Sequence, residues 1–234
     1  MIPLKDDNPT SGKPTITYLI IGLCVLIFLI QLNSETYKTG ELFYSYGLIP
    51  SVLMDNNKLP LDLYVIPAWL TIFTSMFMHG GFMHLIGNML YMWIFADNIE
   101  DNLGKIKFLI FYLLCGIGAA MAQVFADTSS QVPMVGASGA IGGVLGAYLI
   151  NHPNARVLVL IPFGFFSQLI KIRALYVLGF WFVLQFINSA LSSSQGGGVA
   201  YAAHIGGFIS GIILILFFNK KKKIKNKIIK GPWE

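Results

Sequence analysis

Apolar positions in this chain gather into six runs, at Ile16–Leu32, Met83–Phe95 with an approach from Phe77, Phe108–Phe125, Gly139–Ile150, Leu175–Leu191 and Ala200–Phe218. Most approach the roughly 20 residues needed to cross a bilayer as a helix. The pattern predicts an all-α polytopic bundle of six transmembrane helices with a short fourth helix. From Gly139 to Ile150 there are 12 residues, which span about 18 Å against roughly 30 Å of hydrocarbon. If the inner end of that helix lies at one membrane surface, its outer end stops inside the membrane and Ser138 is submerged. Irregular backbone such as Pro133–Ala137 is tolerated at that depth only where it is buried in protein or lines a wet cavity. A water-filled pocket with Ser138 on its floor is the consequence.

The polar positions between the runs set the boundaries. Residues 1–15 hold Pro3, Pro9 and Pro14 and read as a short mobile cytoplasmic leader, followed by a membrane domain over 16–219 and a basic cytoplasmic tail over 220–234. No small-residue cleavage site follows the first run, so it reads as a membrane helix and not a removed signal. The stretch 33–77 carries Phe43, Tyr44, Tyr46, Tyr64 and Trp69 and is expected to lie in the membrane interface, where such side chains are favoured. Asp97-Asn98-Ile99-Glu100-Asp101 forms an acidic turn closed by Gly104, and Ser192–Gly198 is a loop free to move over the pocket's mouth.

Composition agrees with the pattern: 55% of the 234 residues are hydrophobic and 12% charged, and the mean hydropathy is +0.67, where soluble domains carry roughly 25% charge. The net charge of +5 is concentrated in Lys220–Lys223, Lys225, Lys227 and Lys230, without interleaved aromatics. That arrangement reads as a topology signal and a contact for anionic lipids, with no nucleic-acid partner. With six spans and this tail inside, 14 of the 16 basic residues are cytoplasmic and only Lys38 and Lys58 are outside. Both termini are then cytoplasmic. Cys24 and Cys115 fall inside separate apolar runs and read as small buried hydrophobes.

Three groups carry candidate chemistry. Ser138, in Gly136-Ala137-Ser138-Gly139, is either a helix cap or a nucleophile. His204 lies about one turn inside the last run, either bonded across a helix interface or functional, since ionisable residues in spans are costly. Gly207 and Gly211 share its face, and the fourth span offers Gly139, Gly142, Gly143 and Gly146; two such small-residue faces pack closely. Packed together they would bring Ser138 and His204 within reach. In the second span His84 and Asn88 share a face at i, i+4 and are suited to donate hydrogen bonds to a developing oxyanion, together with the Ser138 amide. His79 and His84 lack the spacing and the carboxylate of an intramembrane zinc site, so neither metal nor cofactor is expected. Gln185 and Asn188 in the fifth span read as helix-to-helix hydrogen bonders.

These residues, with Tyr46-Gly47-Leu48-Ile49-Pro50 and Trp69-Leu70-Thr71-Ile72-Phe73, resemble the rhomboid family of intramembrane serine proteases. The resemblance implies Ser138 as nucleophile, His204 as general base and then acid, and His84, Asn88 and the Ser138 amide as oxyanion hole. It also implies transmembrane protein substrates cut in or near their membrane segments, and a site open to the outer side of, by its bare six-span core, a bacterial inner membrane. There are two departures. Leu70 stands where the family often has arginine, and Gly142 replaces the ring that often stacks on the histidine, so the imidazole's support must come from elsewhere. Two alternatives stay open: an inactive rhomboid-like protein that binds membrane substrates, and a small transporter, which the absence of an inverted repeat disfavours.

Overall fold

The computed structural model describes residues 1–35, 40–163, 166–191 and 198–219. The basic tail at 220–234, Lys38 and most of the loop before the last span lie outside the described residues. In chain order the elements are strand β1 (Ile2–Asp6), helix α1 (Thr15–Leu32), short helices α2 (Glu41–Tyr46), α3 (Pro50–Leu53) and α4 (Thr71–Thr74), and long helices α5 (Phe82–Leu103) and α6 (Lys105–Ala126). They continue with α7 (Ser138–Asn151), strands β2 (Arg156–Phe163) and β3 (Phe166–Arg173), and helices α8 (Ala174–Leu191) and α9 (Tyr201–Phe218).

Four helices, α1, α6, α8 and α9, are long and apolar enough to cross a membrane. Helix α5 has the length, with 22 residues, but carries Asn88, Asp97, Asn98, Glu100 and Asp101. Helix α7 has 14 residues, about 21 Å of rise. The solvent these helices demand is read from their outward faces. On α1 the buried positions Thr17, Ile20, Cys24, Phe28 and Gln31 form one stripe, while Leu19, Leu26 and Ile30 point outward with more than half their surface bare. Phe217 at the end of α9 is 80% exposed. Apolar surface of this extent is stable against lipid and not against water.

Helix α7 is the packed centre: every residue from Gly139 through Tyr148 is buried. It lies directly on α9, because glycines face the partner backbone on both sides. A methyl group on Gly207 would land on the Gly139 carbonyl, and one on Gly211 on the Gly143 carbonyl. Helices α5 and α6 meet at a single residue. Gly104, at φ +77, ends α5 by donating its N–H to the Glu100 carbonyl at 2.7 Å, and its own carbonyl starts α6. A left-handed residue at that point favours glycine.

Three expectations need correction. Asp97–Asp101 is not a turn but part of α5, which runs on to Leu103, and Asn98 and Glu100 within it are buried. The chain is mostly helical but not all-α, since β1, β2 and β3 form an antiparallel sheet in the order β1-β2-β3. Val157 and Val159 are fully buried and, with Ile161, Ile170 and Ile172, recur at the two-residue period of a half-buried sheet. The 1–15 leader is tied down rather than mobile. Its β1 pairs with β2, Asn8 bonds to Asn98 and lies 3.1 Å from His152, and the Ser11 hydroxyl donates to Asp101 at 2.7 Å. Pro3 fits because β1 is an edge strand. Beyond it, the buried Glu100 carboxylate accepts from the amides of Ile16 and Thr17 at 2.9 and 2.8 Å, satisfying two donors that a helix start leaves open.

These contacts sort the bundle's ends. The sheet, the Gly104 turn and the C-terminal ends of α7 and α9 share one end, where Asn219 donates to Asn151 at 2.7 Å. The starts of α7 and α9 and the segment 40–77 share the other.

Candidate active site

Ser138 is delivered by a connection that the segment before α5 grips. Leu48 and Met134 exchange backbone hydrogen bonds at 3.0 and 2.8 Å, and the Gly136 amide donates to the Ser75 carbonyl at 2.8 Å. The gripping segment is itself held by the Thr74 hydroxyl, which donates to the Tyr46 carbonyl at 2.6 Å. Gly136 adopts φ +123, and a Cβ there would lie 2.6 Å from His84 Nε2. Backbone and ring can pass this closely only because the residue is glycine.

Ser138 opens α7, so its amide has no carbonyl within the helix to bond. The packing of α7 on α9 sets His204 opposite it: Ser138 Oγ lies 2.8 Å from His204 Nε2. The other ring nitrogen, Nδ1, lies 2.8 Å from Gln185 Oε1 on α8. The indole of Trp181, one turn earlier on α8, tilts against the imidazole at a centroid distance of 5.8 Å. Gly142, where an aromatic ring was missing, faces the His204 carbonyl; a Cβ would stand 3.0 Å from it. A side chain there would require α7 and α9 to give by a few tenths of an ångström, and the ring contact to the imidazole comes from Trp181 on α8.

These groups open onto a cavity of about 610 Å³ whose walls include His84, Asn88, Ser138, Trp181 and His204. His84 Nδ1 accepts the Gly80 amide at 3.3 Å, which makes Nε2 the protonated nitrogen of the neutral ring, and that nitrogen lies over Gly136. Asn88 is 7% exposed, and its Nδ2 has no partner among the described residues. A buried donor left open costs about 1–3 kcal/mol, a cost that a hydrogen-bond acceptor in the cavity would remove. His79 is fully buried, its ring edge-on to that of His84 at a centroid distance of 5.3 Å and its backbone amide and carbonyl bonded to the Gln31 side chain at 3.1 Å each. No group of three or more His, Cys, Asp or Glu able to hold a metal occurs among the described residues.

Ser138, His204, His84 and Asn88 are thus brought to one cavity, and Gly139, Gly207 and Gly211 to the α7–α9 contact behind it. Trp181 and the role of Gln185 toward His204 were not legible in the sequence. The only signal was a glutamine four residues after a tryptophan, on one face of an apolar helix.

A rhomboid-domain family model matches residues 67–221. Rhomboid protease GluP of Bacillus subtilis is 32% identical over 203 residues, covering 86% of this chain and 34% of that protein. Rhomboid protein 1, mitochondrial, of Saccharomyces cerevisiae is 28% identical, over 70% of this chain and 47% of that protein. Rhomboid protease AarA of Providencia stuartii is 27% identical, over 92% and 79%. The chain therefore spans about a third of GluP and about half of the yeast protein. With a rhomboid domain across most of its length and rhomboid relatives matched along most of it, the chain is an integral membrane protein that belongs to the rhomboid family.

Proposed function

We propose that this chain is an intramembrane serine protease that hydrolyses peptide bonds in or near transmembrane segments of other membrane proteins. The observation that carries the reading is Ser138 Oγ at 2.8 Å from His204 Nε2 on the wall of a cavity that also presents Asn88 and His84. Serine is a weak nucleophile until a base takes its proton. In the proposed sequence, Ser138 Oγ attacks the scissile carbonyl carbon as its proton passes to His204 Nε2. The oxyanion accepts hydrogen bonds from Asn88 Nδ2, His84 Nε2–H and the Ser138 amide. Collapse breaks the C–N bond, His204 returns the proton to the leaving amine, and an acyl-enzyme remains on Ser138. Water, deprotonated by His204 Nε2, attacks the acyl carbon; the bond from that carbon to Ser138 Oγ breaks, His204 returns the proton to Oγ, and the new C-terminal carboxylic acid leaves.

The reading includes six crossings, with α5 and α7 added to the four helices of sufficient length and hydropathy. The end bearing the sheet is taken as cytoplasmic, by the excess of lysine and arginine there, with anionic lipids beside the basic tail and the active site facing the outer side of a bacterial inner membrane. The test is reconstitution into liposomes with a panel of single-span substrates containing helix-breaking residues. Cleavage by the wild type and none by Ser138→Ala or His204→Ala is expected. Binding of the panel without cleavage by the wild type would favour the inactive-binder alternative.

A further inference from the structure

We propose that Gln185 is a positioning residue for the Ser138–His204 pair, holding His204 in the tautomer whose Nε2 is free to take the serine proton. The inference rests on the protease reading above. It starts from the backbone of α8. The Trp181 carbonyl can only accept, and Gln185 Nε2 donates to it at 2.9 Å. Turning the amide over would set two oxygens against each other, so its orientation is decided locally. Gln185 Oε1 is thereby aimed at His204 Nδ1, 2.8 Å away, and an oxygen that only accepts requires Nδ1 to carry the hydrogen. A neutral imidazole has one N–H. Nε2 is left with its lone pair, and it is the atom 2.8 Å from Ser138 Oγ.

The same bond persists when His204 takes the proton, because Nδ1–H still donates to Oε1 and the contact becomes charge-assisted. Neither α7, α8 nor α9 contains an acidic residue, so no carboxylate on these helices does this work. In a water-poor bundle an amide carbonyl orients and stabilises the ring without the desolvation cost of a second buried ion. The placement is also selective: Gln185 is the one buried polar residue of α8, whose other buried positions are Ala174, Val177 and Leu178. Trp181 and Gln185, at i and i+4, present the ring contact and the acceptor from one helix face.

The test uses the full chain in detergent micelles, labelled with ¹⁵N-histidine. The four histidines are assigned by single substitution, and the rate of reaction with a fluorophosphonate is followed in parallel. The wild type is expected to show His204 as the Nδ1–H tautomer. Gln185→Leu is expected to mix the tautomers and to slow reaction on the order of ten- to a hundredfold, with reagent binding changed less than about twofold. Gln185→Glu, buried and neutral, can still donate its carboxyl hydrogen to the Trp181 carbonyl and accept from Nδ1–H, and is expected to keep the Nδ1–H tautomer and restore the rate to within about fivefold of wild type. A Gln185→Leu protein with wild-type rate and an unmixed Nδ1–H tautomer overturns the proposal, as does a Gln185→Glu protein that loses either property. Should Gln185→Leu not fold, the Gln185→Glu result decides alone. A wild type that holds the Nδ1–H tautomer yet never reacts contradicts the protease reading and leaves the Gln185 contact standing.

Discussion

Gly136 holds two constraints at once, a left-handed backbone and the His84 ring lying against it. Gly136→Ala is expected to cost about 1–3 kcal/mol from backbone strain alone and to displace His84, read as a lower unfolding temperature in detergent and lost cleavage. Wild-type stability in that variant would contradict the geometry. Asn88 has the complementary property, a buried Nδ2 with no partner among the described residues. If that donor serves the oxyanion, Asn88→Ala removes an interaction made in the transition state, and kcat falls about a hundredfold with KM changed far less. The reverse split would assign Asn88 to substrate binding.

The pairing of α7 with α9 makes the site, because the Ser138-to-His204 distance depends on how closely two backbones approach. Gly211 lies on the Gly143 backbone about two turns from His204, outside the reacting groups. Gly211→Leu is expected to destabilise the bundle by about 1–3 kcal/mol or more and to slow cleavage, while Gly179→Leu on α8, where a Cβ meets open space, leaves both unchanged. The other end of α7 answers to the N-terminal strand: the Tyr148 hydroxyl donates to the Asp6 carboxylate at 2.5 Å. Burial holds the Asp6 carboxyl above its ordinary value; the Tyr148 hydrogen bond opposes this and neighbouring Asp7 adds to it. A carboxyl raised in the folded state contributes stability that is full below its ordinary value and is lost as pH rises through the folded one. Asp6→Asn is therefore expected to stabilise the protein more at pH 7 than at pH 4. A thermal shift independent of pH would contradict this.

At the scale of the molecule, the sidedness of the bundle predicts that a cysteine at Asn57 reacts with a membrane-impermeant maleimide in intact cells and one at Gln168 does not. Cys24 and Cys115 are buried and give no background. Reaction at Gln168 alone would invert the topology. The helices were legible in the sequence because each apolar run meets lipid or core, and the Gly104 turn because its backbone favours one residue type. The glycine faces of α7 and α9 pointed to their contact for the same reason, that close approach leaves a compositional trace. The sheet was not legible as a whole: β1 starts 154 residues before β2, at Ile2 against Arg156, within a stretch that read as a leader. Nor was the bond from Gln185 to His204, since a lone glutamine in a span has many partners open to it and only tertiary packing chooses one. The central claim is that Ser138 is a nucleophile activated by His204. Its most direct measurement is the mass of the intact protein, and of its peptides, after treatment with a fluorophosphonate. One adduct on Ser138 in the wild type, and none in Ser138→Ala or His204→Ala, is the predicted result. An unmodified wild type, or an adduct that persists in Ser138→Ala, would contradict it.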